Sequence, residues 1–181
     1  MDRKNENWTI IRALQHVRHD WMNHIQLIKG YIALGKTEEA ERTIEQIVMQ
    51  AKQEAHLCSL PLPELVKLLV TFNWDQHSFQ LEYEVLDKNI RTETNDEQLV
   101  SLMISLFDLM ERWIEKYADN QLYLSIEGTN DGLRFFFEFS GIITNTEAFI
   151  RELTGALNTA HVKRGQIHSH SLEECSFEVI V

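Results

Sequence analysis

Cysteine, long apolar runs and clustered positive charge are all scarce in this chain of 181 residues. The two cysteines, Cys58 and Cys175, lie far apart, which fits a reducing compartment and neither a disulfide framework nor a zinc site. We predict that both are small packed hydrophobic residues. No run approaches the roughly 20 apolar residues that span a bilayer, and the first residues lack the apolar core of a signal peptide. These absences predict a cytoplasmic protein without a membrane partner.

Positive charge is outnumbered, with 17 Lys and Arg against 28 Asp and Glu and a net charge of -11. Contacts to nucleic-acid phosphates need clustered Lys and Arg, so nucleic acid is excluded as a main partner. The first helical segment, residues 7–34, is an exception, because it has three basic residues and one acidic residue. They are Arg12, Arg18 and Lys29, and Asp20. A basic helix in an acidic protein can orient an acidic surface or a phosphoryl group, although three basic residues on a long helix are also ordinary.

Glycine is sparse, and no two of the seven glycines are separated by one residue. The chain therefore lacks a glycine-rich loop that would wrap nucleotide phosphates, and we predict that it does not bind ATP. A metal enzyme is a further class to weigh, because His16 and His19 have the i, i+3 spacing that can share a metal. No carboxylate joins them at ligand spacing, and His168 and His170 lack a third partner. We predict no bound metal or cofactor.

The first segment has apolar spacing typical of a helical heptad seam, with one basic residue in it. Its members are Ile11, Leu14, Arg18, Trp21, Ile25, Ile28 and Ile32. His19 lies about 100° round the helix from this seam, on a polar side shared with Gln15, His16, Asn23 and Gln26. The spacing predicts a solvent-exposed histidine, which is either reactive or a plain surface residue.

Gly35 is a predicted stop for this helix, and Glu38 and Glu39 suit the first turn of a second one. The second helix carries its own apolar stripe: Ala40, Ile44, Ile47, Ala51, Ala55 and Cys58. An antiparallel two-helix hairpin cannot enclose such a seam, so we predict a homodimer in which two hairpins form a four-helix bundle. The alternative is that the seam packs on the rest of the same chain.

Two prolines, Pro61 and Pro63, interrupt the helical pattern and predict a boundary between a hairpin domain, residues 1–60, and a second domain, residues 61–181. The patterns that follow predict helices at 64–72, 96–117 and 146–157, and strands at 78–85, 122–126, 133–139, 165–170 and 176–181. The middle pair of strands reads as a hairpin, with its turn at 130–132. The fold class is therefore α+β, with the helical hairpin followed by an α/β two-layer sandwich.

Histidine is suited to carrying a phosphoryl group, because a neutral ring nitrogen can attack phosphorus without a separate base. Such a transfer needs an open in-line approach, which an exposed helix face offers. His19 meets both requirements.

Residues 18–30, Arg-His-Asp-Trp-Met-Asn-His-Ile-Gln-Leu-Ile-Lys-Gly, resemble the phosphorylated helix of the sporulation initiation phosphotransferase B family. Residues 71–74, Thr-Phe-Asn-Trp, and 81–86, Leu-Glu-Tyr-Glu-Val-Leu, are also similar to that family. A shorter form of the first motif opens the dimerisation helices of some sensor histidine kinases, so the helix alone does not separate transferase from kinase.

The resemblance implies a phosphotransferase that takes a phosphoryl group from the aspartyl phosphate of one response regulator and passes it to the aspartate of a second, in sporulation initiation. It implies His19 as the nucleophile and a bound magnesium ion on the partner regulator. By position, Asn23 is a candidate to hydrogen-bond phosphoryl oxygens or the partner, and Arg18 to offset developing negative charge, although both are equally well explained as plain helix-surface residues. Asp20 is a candidate to orient the imidazole, a role that spacing alone does not show.

The resemblance also implies a second domain related to histidine kinase ATPase domains but without the nucleotide site, and hence no autokinase activity. A non-catalytic dimeric adaptor for response regulators and a remnant of a histidine kinase remain as alternatives.

Overall fold

The computed structural model describes residues 10–87, 90, 94–159 and 161–181. These residues form two compact units, Met1–Lys52 and Gln53–Val181, which divide within the second helix. The proposed domain limits of 1–60 and 61–181 stay a prediction. Among the described residues, no helix is long and apolar enough to cross a membrane.

The first unit contains helix α1 (Ile10–Ala33) and most of helix α2 (Thr37–Cys58). The predicted start of α1 at residue 7 lies outside the described residues. Gly35 has φ +71° and terminates α1, where the Lys36 N–H donates to the Tyr31 carbonyl at 2.9 Å. The predicted stop is confirmed, and a connection as short as 34–36 is typical of an antiparallel helical hairpin.

The apolar seam of α1 lies open to solvent, and none of the described residues of this helix is buried. Leu14 is 64% exposed, Trp21 53% and Ile32 62%. On α2, Ala40 is buried, whereas Ile44 is 45% exposed and Ala51 and Ala55 are also exposed. The homodimer that would cover this seam stays a prediction.

The second unit takes in the end of α2, which stops at Cys58, and helix α3 (Pro63–Thr71), which starts and ends one residue before the predicted 64–72. The interruption between these helices is confirmed. The first free N–H groups of α3 are satisfied by another element, because the Asp96 carboxylate accepts from the N–H groups of Glu64 and Leu65 at 2.7 and 3.0 Å.

A five-stranded mixed sheet with three helices builds the rest of this unit. Its strands are β1 (Gln80–Val85), β2 (Gln121–Thr129), β3 (Gly132–Ser140), β4 (Arg164–His170) and β5 (Glu174–Ile180), in the order β1-β2-β3-β5-β4. Among the described strands, only β1 and β2 pair in parallel. Helices α4 (Asp96–Trp113) and α5 (Thr146–Leu157) complete it. The α+β prediction is confirmed.

Burial alternates along β2 and β3, so each of these strands has one buried apolar side. Phe135, Phe137 and Phe139 of β3 are buried in a core shared with α3, α4 and α5. The predicted hairpin between β2 and β3 is confirmed, and Gly132 at its turn has φ +142°. A Cβ at Gly132 would also collide with the backbone carbonyl of Val181, so only glycine fits.

The edge of β1 is closed by side-chain amides. Asn73, from the second sequence motif, donates to the Leu81 carbonyl at 2.7 Å and accepts from the Leu81 N–H at 2.9 Å. Gln53, in the last turns of α2, accepts from the Val85 N–H at 3.1 Å. These amides satisfy backbone groups that would otherwise form an open strand edge.

Two predictions are wrong. Helix α4 ends at Trp113 and not at residue 117, because Ile114 is extended and forms a bridge with Ile143, while the Glu115 N–H donates to the Ile142 carbonyl at 2.8 Å. Cys58 is exposed at the end of α2, whereas Cys175 is buried as predicted. Burial raises the pKa of the Cys175 thiol to about 12.

Candidate functional site

His19 lies in the middle of α1, with 72% of its side chain exposed. The neighbouring Asp20 carboxylate is 51% exposed. The sequence places both residues within an uninterrupted helical pattern, so the helix backbone fixes where each side chain leaves the axis. A reacting group can approach His19 from solvent.

Two side chains reach the same ring nitrogen of His19. The Asn23 Nδ2 atom lies 3.2 Å from His19 Nδ1, and the Asp20 Oδ1 atom lies 3.5 Å from it. The Asn23 contact follows from its i, i+4 spacing, which brings side chains together on one helix face. This contact with His19 was not predicted from the sequence, from which Asn23 was expected to contact phosphoryl oxygens or the partner.

The two contacts have opposite polarity, so the ring tautomer decides which of them is made. With a proton on Nδ1, the ring donates to Asp20 and Nε2 keeps its lone pair. Without that proton, Nδ1 accepts from Asn23 and Nε2 is the protonated nitrogen. Within the described part of the chain, no hydrogen bond occupies Nε2. Asp20 and Asn23 thus bear on which nitrogen of His19 is the nucleophile.

Arg18 is not brought together with His19. It is exposed on the apolar seam, and within the described residues it makes no hydrogen bond or ion pair. Residues one position apart on a helix point in different directions, which is the physical reason. A role of Arg18 in offsetting negative charge stays a prediction.

The wider polar side of α1 is only partly as expected. Gln15, Asn23 and Gln26 are exposed, but His16 is half-buried. Gly30 also belongs to this side, because it lies three helical turns after His19.

Other histidines have structural partners. His168 Nε2 lies 3.4 Å from the Glu178 carboxylate, which also accepts from Arg134 Nε at 2.9 Å. Burial alone would raise the pKa of Glu178, but the bonds from Arg134 and His168 lower it below its usual value. In the described ranges, no group of three or more His, Cys, Asp or Glu is placed to hold a metal ion. The expected absence of a metal or cofactor stays a prediction.

Comparisons with known proteins match both parts of the chain. A family model described as "Sensor_kinase_SpoOB-type, alpha-helical domain" matches residues 1–60, and one described as "Sporulation initiation phospho-transferase B, C-terminal" matches residues 61–181. The sporulation initiation phosphotransferase B of Bacillus subtilis (strain 168) is 34% identical over 172 residues, which cover 94% of this chain and 88% of that protein.

Solved structures also resemble the chain. The histidine kinase AdeS of Acinetobacter baumannii is 16% identical, with a TM-score of 0.43, over 90% of this chain and 96% of that one. The histidine kinase ThkA, solved in complex with the response regulator protein TrrA, is 14% identical, with a TM-score of 0.44, over 93% of this chain and 60% of that one.

Proposed function

Because this chain belongs to the sporulation initiation phosphotransferase B family, we propose that His19 is the residue that carries the phosphoryl group. The chain is a phosphotransferase of the sporulation phosphorelay, and its partners are response regulators. The observation that supports His19 is the open ring on α1, whose Nδ1 faces Asp20 and Asn23 while Nε2 faces no hydrogen-bonding partner among the described residues.

The proposed step is an in-line displacement at phosphorus. The lone pair of His19 Nε2 forms the N–P bond, and the P–O bond to the regulator's aspartate breaks, so that the electron pair leaves with the carboxylate. The proton on Nδ1 stays in place, and the positive charge that develops on the ring is offset by Asp20. Attack by the aspartate of a second regulator reverses these bond changes and releases neutral His19.

The neighbouring residues have separate proposed roles. Asp20 favours the tautomer with a proton on Nδ1, and Asn23 can turn its amide from the ring to a phosphoryl oxygen. Arg18 offsets the negative charge of the approaching partner at longer range. The magnesium ion that neutralises the transferring phosphoryl group is expected on the regulator, together with its aspartate.

We further propose that the functional form is a homodimer. The apolar seam of α1, which contains Leu14, Trp21 and Ile25, is exposed. Leaving an apolar surface of this length in water is energetically costly for an isolated helical hairpin. A second copy with the same seam would bury it in a four-helix bundle. The cytoplasmic location and the absence of ATP binding remain predictions of the same kind.

The direct test is transfer of radiolabelled phosphate from receiver domains of response regulators to the purified chain. The receivers come from the same genome and are phosphorylated beforehand with labelled acetyl phosphate and magnesium. We expect label on the wild-type chain and none on His19→Ala, with circular dichroism showing that the variant is folded.

Each other outcome has a clear meaning. Label that stays on every receiver would favour a non-catalytic adaptor. Label on the alanine variant would move the site to His16 or His24. Direct labelling of the chain by ATP would revive the histidine kinase alternative.

A further inference from the structure

Gly30 lies within helix α1, and nothing among the described residues explains why this position is a glycine. It is exposed near the end of α1, its φ is not positive, and no described atom lies within 4 Å of the place where a Cβ would stand. Neither backbone conformation nor packing within these residues requires glycine. Glycine is nevertheless one of the least favourable residues in a helix.

The position of Gly30 relative to His19 is regular. Eleven residues make about three turns, so Gly30 lies about 17 Å further along the helix axis and within roughly 20° of His19 round it. Asn23 and Gln26 lie between them on the same side. Ile25 of the apolar seam is about 140° round the helix from Gly30, so the seam does not account for this glycine either.

We propose that Gly30 is a recess that seats the backbone of the docked response regulator and thereby positions its aspartyl phosphate at His19. A missing side chain lets a partner's backbone approach the helix more closely than any other residue allows. This inference rests on the proposed function, in which a regulator must meet His19. It makes Gly30 a positioning residue and not a catalytic one.

Size and charge both suit this occupant. An ordinary protein interface of about 800 Å² a side is roughly 30 Å across, so an interface centred between His19 and Gly30 covers both positions. Helix α1 carries Arg12, Arg18 and Lys29 against Asp20 alone, in a chain with a net charge of -11. A receiver that presents an aspartyl phosphate is acidic, and this helix attracts it more strongly than the rest of the chain does.

The test compares Gly30→Gln with Gly155→Gln in the full chain. Gly155 is also exposed and helical, with no described atom within 4 Å of a Cβ, and it lies in α5 of the other unit. Both substitutions add the same side chain, and both should leave the melting temperature equal to or above that of the wild type.

We expect Gly30→Gln to raise the KM for a phosphorylated receiver domain at least tenfold with little change in kcat. Labelling of His19 by the small donor phosphoramidate should not change, because that donor needs no docking surface. Gly155→Gln should match the wild type in both assays.

The outcomes separate the two proposals. Receiver-dependent labelling of Gly30→Gln at the wild-type KM overturns the recess and leaves the phosphotransfer role of His19 intact. If Gly30→Gln loses labelling equally with receiver and with phosphoramidate, the substitution affects His19 itself, and the recess is overturned in this case too. If the wild-type chain takes no label from any receiver, the proposed function itself is contradicted, whatever the variants show.

Discussion

At the scale of single residues, the chemistry centres on one nitrogen of His19. Asn23 and Asp20 both reach Nδ1, at 3.2 and 3.5 Å, so the ring can satisfy only one of them at a time. Because Asp20 is half exposed, its effect on the ring is that of a screened neighbouring charge and not of a buried pair. A moderate change in rate is therefore expected from its removal.

We predict that Asp20→Asn slows phosphoryl uptake by His19 about tenfold, which corresponds to about 1.4 kcal/mol of barrier. The amide carries no charge to offset the positive ring, and its oxygen accepts from Nδ1–H more weakly than a carboxylate does. Rapid-quench measurement of label transfer gives the rate. Asp75→Asn, an exposed carboxylate in the other unit, is the control. A rate for Asp20→Asn equal to that of this control would remove Asp20 from the site.

Glu111 is a second residue whose ionisation matters, although it lies away from His19. Its carboxylate accepts from the Ser78 hydroxyl at 2.6 Å and from the Ser78 N–H at 3.0 Å, and lies 3.1 Å from His77 Nδ1. Burial alone would raise the pKa of Glu111, but these bonds lower it below the ordinary 4.5. The ionised carboxylate thus holds the segment before β1 against α4.

A folded-state pKa that is lowered contributes stability above the unfolded-state value, and this contribution is lost as pH falls through the folded-state pKa. We predict that Glu111→Gln lowers the free energy of unfolding at pH 7 and flattens its decline below about pH 4.5. Urea unfolding at several pH values measures both effects. If the variant and the exposed control Glu41→Gln have parallel pH profiles, the Glu111 contacts do not contribute.

The exposure of His19 could be predicted from helical spacing alone, because the positions of the apolar residues show which face of a helix is exposed to solvent. The sequence did not predict that Asp20 would reach Nδ1, since that contact depends on rotamers that spacing does not specify. Cys58 was misjudged for a related reason: its place on an apolar stripe says which face it occupies, but not whether anything covers that face.

At the scale of elements, amides close the edge of β1, a device that periodicity does not reveal. Asn73 makes two hydrogen bonds to the backbone of Leu81, which is itself 2% exposed. Apolar periodicity located the elements that bury one face in the core, such as β2, β3 and α4. The end of α4 escaped it, since the bridge from Ile114 to Ile143 joins segments far apart in sequence.

We predict that Asn73→Ala lowers the free energy of unfolding by about 1–3 kcal/mol, because both backbone groups of Leu81 lose their partner. Chemical denaturation measures the change. Asn158→Ala is the matched control, since that amide donates only to the Thr154 carbonyl on an exposed helix surface. Equal losses in the two variants would show that closure of the β1 edge is unimportant for stability.

At the scale of the whole molecule, the most informative feature is the apolar seam of α1, which is exposed to solvent. Ile11 is 70% exposed, and Ile25 is 52% exposed beside a cleft of about 250 Å³ that it lines with Ile28, Lys29 and Ile32. The sequence predicted this seam, because a heptad pattern states that a partner helix is needed. The sequence also predicted a second copy of the chain as that partner, which stays a prediction.

We predict a mass in solution of twice the 21.3 kDa protomer by light scattering, and a single protomer mass for a Trp21→Glu, Ile25→Glu double variant. Charges in the seam would be buried on association at a cost larger than the contact returns. Leu172→Glu, at a leucine that is 66% exposed outside the seam, should remain dimeric. A wild-type mass of one protomer would contradict the four-helix bundle.

The central claim is that His19 passes a phosphoryl group on, and a chase experiment tests it most directly. The chain is first labelled by one phosphorylated receiver domain, separated from it, and then mixed with a second, unlabelled receiver and magnesium. We predict that label leaves His19 and appears on the aspartate of the second receiver. Label that stays on His19, or leaves it only as inorganic phosphate with every receiver tried, would contradict the relay.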